Sequence, residues 1–172
     1  MATRGPRSGI RRLRVMMRVS PEESKSAATY RAAPAILNAG ALAGVLDLTA
    51  ACINAGLRGR TPLRVLQSIA SGWLGRESYA HGVWSGALGL VTHFFIATGW
   101  AAIYWAMSRG LPPLVRRPWW SGAAFGLVVY EFMYEVVIPL SAIHRTPSRT
   151  SQDLLIGLLI HVTCVGWPIA HV

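Results

Sequence analysis

Four long stretches almost free of charge decide what this chain can fold into. They run from Ala35 to Leu57, Val83 to Met107, Trp119 to Leu140 and Asp153 to Ala170, and the charged residues gather in the blocks between them. A helix needs about 20 apolar residues to cross the hydrocarbon core of a bilayer, and each stretch is that long or close to it. The last is the shortest and calls for a thin bilayer or little tilt. Charged residues make up 14% of the chain and hydrophobic ones 52%, against about 25% charged in an ordinary soluble domain. Together with a mean hydropathy of +0.38, this predicts an all-α, integral membrane four-helix bundle over residues 35–172, with the lipid bilayer as its first partner. Residues 1–34, rich in Arg, Ser, Pro and Gly, are expected to form a basic, disordered cytoplasmic tail.

The formal charge of +10 does not point to nucleic acid. Eight of the 17 basic residues lie in the first 34 positions, beside Glu22 and Glu23, and the rest flank the spans. Basic residues there set orientation and hold a juxtamembrane tail on anionic lipid. The tail and the 108–118 loop carry 11 basic residues, and the other two loops carry six. The positive-inside rule then puts both termini of a multi-pass chain in the cytoplasm, in a bacterial inner membrane. Without the tail the balance reverses. Polar Ser20 to Ser26 separates Arg11-Arg12 from the first apolar run, which has the length of a span, so no cleavable signal is expected. Cys52 and Cys164 fall inside spans and imply no disulfide framework. Trp84, Trp100, Tyr104, Trp105, Trp119, Trp120 and Trp167 sit near predicted span ends, as interface anchors do.

The chain contains two related hairpins in the same orientation. Arg60-Thr61-Pro62-x-Arg64-x-x-Gln67 recurs as Arg145-Thr146-Pro147-x-Arg149-x-x-Gln152. Gly40-x-x-x-Gly44 matches Gly122-x-x-x-Gly126, and Gly89-Leu90-x-x-His93 matches Gly157-Leu158-x-x-His161. Gly99-Trp100 and Gly166-Trp167 follow the two histidines. The first loop has about 17 extra residues. In it Thr61 suits an N-cap and Pro62 the first helical position. Leu63, Leu66, Ile69, Ala70, Trp73 and Leu74 share a helical face, predicting a short interfacial helix over Pro62 to Leu74. Glycines four apart, including Gly82 and Gly86, let helix backbones approach closely, within a compact bundle or through the glycine-rich faces of a homo-oligomer.

Each span also carries an ionisable residue near its centre: Asp47, His93, Glu131 and His161. Such residues face a partner or a wet cavity and mark candidate sites. At 100° per residue, Asp47, His93 and His161 lie near their helices' glycine faces, whereas Glu131 and Glu135 point elsewhere, toward another neighbour or the outer headgroups. Asp47, His93 and His161 are therefore expected to converge as a midplane polar cluster. Three chemistries compete for it. Interhelical hydrogen bonding in a purely structural or assembly protein is one. A relay that moves protons or a small solute is another, since imidazoles titrate near neutrality. The third is a redox site in which Asp47, His93 and His161 hold a divalent metal, or the two histidines a haem. The expectation is no cofactor, with haem or a divalent metal as the alternative. Neither a nucleophile-and-base set nor a phosphate-binding loop appears, so an enzyme is the weakest reading. Arg60, Arg64, Arg145 and Arg149 sit at predicted helix starts in the outer loops, where they would cap and anchor helices or bind an anion or lipid headgroup.

Several runs carry a resemblance. They are Gly44-Val45-Leu46-Asp47-Leu48-Thr49-Ala50-Ala51, Gly56-Leu57-Arg58-Gly59, Pro62-Leu63-Arg64-Val65-Leu66-Gln67-Ser68-Ile69-Ala70-Ser71-Gly72 and His93-Phe94. Pro139-Leu140-Ser141-Ala142, Gly157-Leu158-Leu159-Ile160-His161 and Cys164-Val165-Gly166-Trp167-Pro168-Ile169-Ala170 complete them. From about Gly40 to Ala170 the chain resembles a family of uncharacterised bacterial four-span inner-membrane proteins. The resemblance implies fold and location and brings no activity. Asp47, His93 and His161 match its pattern. Glu131, Glu135 and the Arg-rich tail stand outside it, which favours a start at Met16 or Met17.

Overall fold

The computed structural model describes the backbone of residues 21–144 and 148–172, with side chains from Ala32 onward. Most of the expected tail and Arg145, Thr146 and Pro147 lie outside the described residues. The chain divides into two compact units, Met1–Pro34 and Ala35–Val172. Helix is already present from Pro21, so the C-terminal part of the expected disordered tail is helical instead.

Helix α1 covers Pro21–Gly56, α2 Pro62–Leu74, α3 Gly82–Gly110 and α4 Pro112–Arg116. Helix α5 covers Pro118–Leu140 and α6 Ser151–His171. A 3-10 turn, Gly75–Tyr79, joins α2 to α3. Four helical segments are long and apolar enough to cross a membrane: Ala32–Gly56 of α1, then α3, α5 and α6. Their ends differ from the sequence expectation by less than one helical turn. No strand occurs among the described residues. The "α2 end" of the bundle is where α1 finishes and α6 begins; the "α4 end" is where α3 finishes and α5 begins.

The buried core draws on all four long helices: Ala39 and Ala43 of α1, Ala101 and Tyr104 of α3, Phe125 and Val129 of α5, Val165 and Ile169 of α6. Trp100 meets Phe125 and Phe132 edge-on, at 5.9 and 5.4 Å between ring centres, so it packs on the core rather than anchoring an interface. Trp84 and Trp120 remain exposed.

The glycines mark where backbones touch inside the chain. A methyl group at Gly40 would lie 2.6 Å from the Thr98 Cα, and one at Gly126 would lie 2.5 Å from the His161 carbonyl oxygen. Gly122 and Gly166 face each other so closely that neither could carry a side chain. Small residues permit this approach. Gly40, Gly44, Gly86, Gly122 and Gly126 are thus taken up by contacts within the chain, whereas nothing lies within 4 Å of a methyl group at Gly82.

Helix α2 starts as its sequence predicts: the Thr61 hydroxyl accepts from the Arg64 N–H at 3.3 Å, with Pro62 at the first helical position. Such a cap stabilises a helix by about 0.5–2 kcal/mol. Its apolar face packs on α3 rather than lying free on a surface. Leu63 fills the space over Gly86, Leu66 touches Gly89, and Ala70 is fully buried; Trp73 stays mostly exposed and Leu74 partly so. A buried polar clamp fixes the contact. Gln67 Nε2 donates to the Gly82 carbonyl at 3.0 Å, Ser78 Oγ to the Gln67 carbonyl at 2.9 Å, and Ser85 Oγ to the Ser78 carbonyl at 2.6 Å. Trp73 Nε1 donates to Thr92 Oγ1 at 3.0 Å, and the Ala142 N–H to the Gly72 carbonyl at 2.9 Å.

Two π-helical turns interrupt the second hairpin, Met133–Val137 in α5 and His161–Gly166 in α6. Each is followed directly by a proline-bearing turn, with Pro139 or Pro168. Proline lacks the N–H that would close the preceding turn, and local π geometry re-satisfies the freed carbonyls.

Candidate functional site

A cavity of about 250 Å³ lies at the α2 end between α1, α2 and α6. Asp47, Ala51, Asn54 and Ala55 form the α1 wall, at helical spacing on one face. Arg60, Arg64, Val65 and Ser68 form the second wall, and Gly157, Ile160 and His161 the third. From Ala55 at the rim to Asp47 is about 12 Å along α1.

Asp47 and His93 are neighbours, as expected, with His93 Nε2 4.0 Å from Asp47 Oδ2. They do not hydrogen-bond. His93 Nε2 donates instead to the Gly44 carbonyl at 2.9 Å, which fixes the imidazole across the α1–α3 contact. Both side chains are largely buried, at 13% exposure for His93 and 18% for Asp47. Among the described residues no protein donor lies within hydrogen-bond distance of the Asp47 carboxylate. A buried carboxylate without such a partner is costly, and this one borders a cavity.

His161 shares the cavity with Asp47 but is not level with His93. Its Nδ1 bonds back to the Gly157 carbonyl at 3.0 Å, and its ring meets Tyr130 edge-on at 5.0 Å. Tyr130 is two residues from Phe132, which meets Trp100, and His93 lies two turns closer to the α2 end than Trp100, roughly 10 Å along the axis. The expected cluster is thus drawn out along the bundle, with Asp47 and His93 above and His161 deeper. Among the described residues no group of three His, Cys, Asp or Glu side chains is placed to hold a metal ion.

A second cavity, about 410 Å³, lies at the α4 end. Ala35, Ile36 and Ala39 of α1 and Ile169, Ala170 and His171 of α6 line it, with Ala101, Tyr104 and Trp105 of α3. Both cavities therefore follow the seam between α1 and α6. Between them sits the buried layer that includes Ala43 and Val165.

The acids on α5 have a different partner. Arg149 Nη2 donates to Glu131 Oε2 and to Glu135 Oε1, both at 3.1 Å, and its guanidinium stacks on Tyr134 at 4.1 Å. A hydrogen bond with Tyr130, then one with Glu131, push the Arg149 pKa above its ordinary value. Arg149, expected at an anion site, is thus held inside the chain, and Arg145 lies outside the described residues. Arg60 and Arg64 do line the first cavity, with Arg64 also over the Tyr79 ring at 5.2 Å. At the rim Arg58 pairs with Asp153, tying α1 to α6. Asp153 also closes a capping box with Thr150. The cap of α6 thus lies four residues beyond Thr146, the residue that matches Thr61 in the sequence motif.

Sequence reasoning missed Asn54 and Ser68 in the cavity wall, Tyr130 beside His161, and the whole second cavity. Asn54 stands two turns from Asp47 on one face and could have been found by that spacing; the second cavity gathers mostly apolar residues, with Tyr104, Ser108 and His171 among them, from separate elements that no sequence spacing links.

The chain matches no protein-family model, no curated protein and no solved structure. The family resemblance therefore rests on the runs between Gly40 and Ala170 alone.

Proposed function

We propose that this chain is a multi-pass protein of the bacterial inner membrane, with both termini in the cytoplasm, that moves protons or a small polar solute along the α1–α6 seam. The observation that carries this reading is the pair of cavities at opposite ends of one seam, with an ionisable residue, Asp47, on the wall of the first. Intramembrane carboxylates and histidines of this kind line ion and substrate paths. The offset of Asp47 and His93 from His161 suits stepwise transfer better than a single binding cluster. The thin layer at Ala43 and Val165 separates the two sides, as a closed barrier must. Helix α2, clamped to α3, forms the fixed outer wall of the entrance.

The test is proton uptake into proteoliposomes holding a pH-sensitive dye, driven by an imposed membrane potential. Uptake is expected to exceed that of protein-free vesicles and to slow at least about tenfold in Asp47→Asn, a barrier change of about 1.4 kcal/mol. Wild-type uptake no faster than protein-free vesicles across roughly pH 5 to 8, or full uptake by Asp47→Asn, would contradict the reading.

A further inference from the structure

The first cavity carries opposite charges at its two ends. Arg60 and Arg64 stand at the rim, and the Asp47 carboxylate lies deeper on the same surface. The neighbouring ions are already engaged: Arg58 by Asp153 and Arg149 by Glu131 and Glu135. Arg60 has no ion-pair partner among the described residues, and Arg64 has only the Tyr79 ring. Nor does Asp47 have a donor within hydrogen-bond distance. At about 250 Å³ the space is smaller than the roughly 300–1,000 Å³ of drug-sized pockets, so an occupant is small. We propose that this cavity binds a small zwitterion, its carboxylate held by Arg60 and Arg64 and its ammonium by Asp47.

The chemistry follows from the two ends. A guanidinium fork matches a carboxylate in geometry and charge. An ammonium would supply the donors that Asp47 lacks, and a buried charge gains most from a paired opposite charge. Asn54, between the two ends, offers both a donor and an acceptor. The axial gap of about 12 Å between Asp47 and the rim shortens as the arginine side chains reach down. An ω-amino acid with several methylenes between its charges therefore fits better than an α-amino acid. A monoanion would leave Asp47 unpartnered, and a monocation would leave the arginines so.

This proposal rests on the transport reading and names its substrate class. It is tested by calorimetric titration of the full chain in detergent with glycine, β-alanine, γ-aminobutyrate and 6-aminohexanoate. Each is compared with the carboxylic acid and the amine of the same carbon count. A middle member of the series is expected to bind at least about tenfold more tightly than both of its singly charged analogues. Arg60→Gln with Arg64→Gln should weaken the amino acid and spare the amine; Asp47→Asn should weaken the amino acid and spare the acid. The proposal is overturned if no amino acid binds more tightly than both analogues. Proton uptake that persists beside such a result would leave the transport reading standing, whereas loss of uptake with zwitterion binding intact would sink the transport reading and keep the site.

Discussion

The two hairpins share a skeleton of glycines and a histidine yet use it differently. In the first, His93 reaches across to the Gly44 carbonyl of α1 and stands beside Asp47. In the second, His161 turns back to Gly157 on its own helix and lies against Tyr130. The cause is local. Helix α3 is regular, whereas α6 enters a π turn at His161, and the His161 backbone is pressed on Gly126. The glycines after the histidines diverge too: Gly166 abuts Gly122, while nothing lies within 4 Å of a methyl group at Gly99. Residues with matching sequence surroundings can therefore differ in role: His93 bridges two helices, whereas His161 bonds within its own helix and lines the first cavity.

The sharpest way to break this comparison is to fill both glycines. Gly166→Ala should cost about 1–3 kcal/mol through overpacking against Gly122, read as a lower midpoint of thermal unfolding in detergent. A smaller loss should follow Arg149→Gln, which strips Glu131 and Glu135 of their cation. Arg58→Gln at the rim, where the pair with Asp153 is screened by solvent, should cost less still. Trp73→Phe, which removes the bond to Thr92 that holds α2 to the first hairpin, should cost about 0.5–1.5 kcal/mol. Gly99→Ala closes the series with a gain of up to about 1 kcal/mol from helix propensity. Equal losses at Gly99 and Gly166 would show that the hairpins are packed alike and that the asymmetry is wrong.

Span limits and the start of α2 were legible because length, hydropathy and cap chemistry are local. The nearness of Asp47 and His93 was legible as well, since regular helices keep 100° per residue. His161 was not, because the π turn that begins there shifts the phase and because depth along a tilted span cannot be counted from its ends. The glycine face of α3 misled in another way. Gly86 and Gly89 face α2, so a stripe of small residues signals a close backbone without saying whose. The partner of Glu131 and Glu135 was hidden for a similar reason: the loop between α5 and α6 leaves open which side chain folds back.

The central claim is that the two cavities open to opposite faces of a membrane along one seam. Labelling single cysteines in sealed vesicles with a membrane-impermeant thiol reagent tests it, in a background where Cys52 and Cys164 are replaced by serine. Asn54→Cys should react only from the face opposite the termini, and Ile36→Cys only from the face bearing them. Reaction of both from the same face would contradict the account.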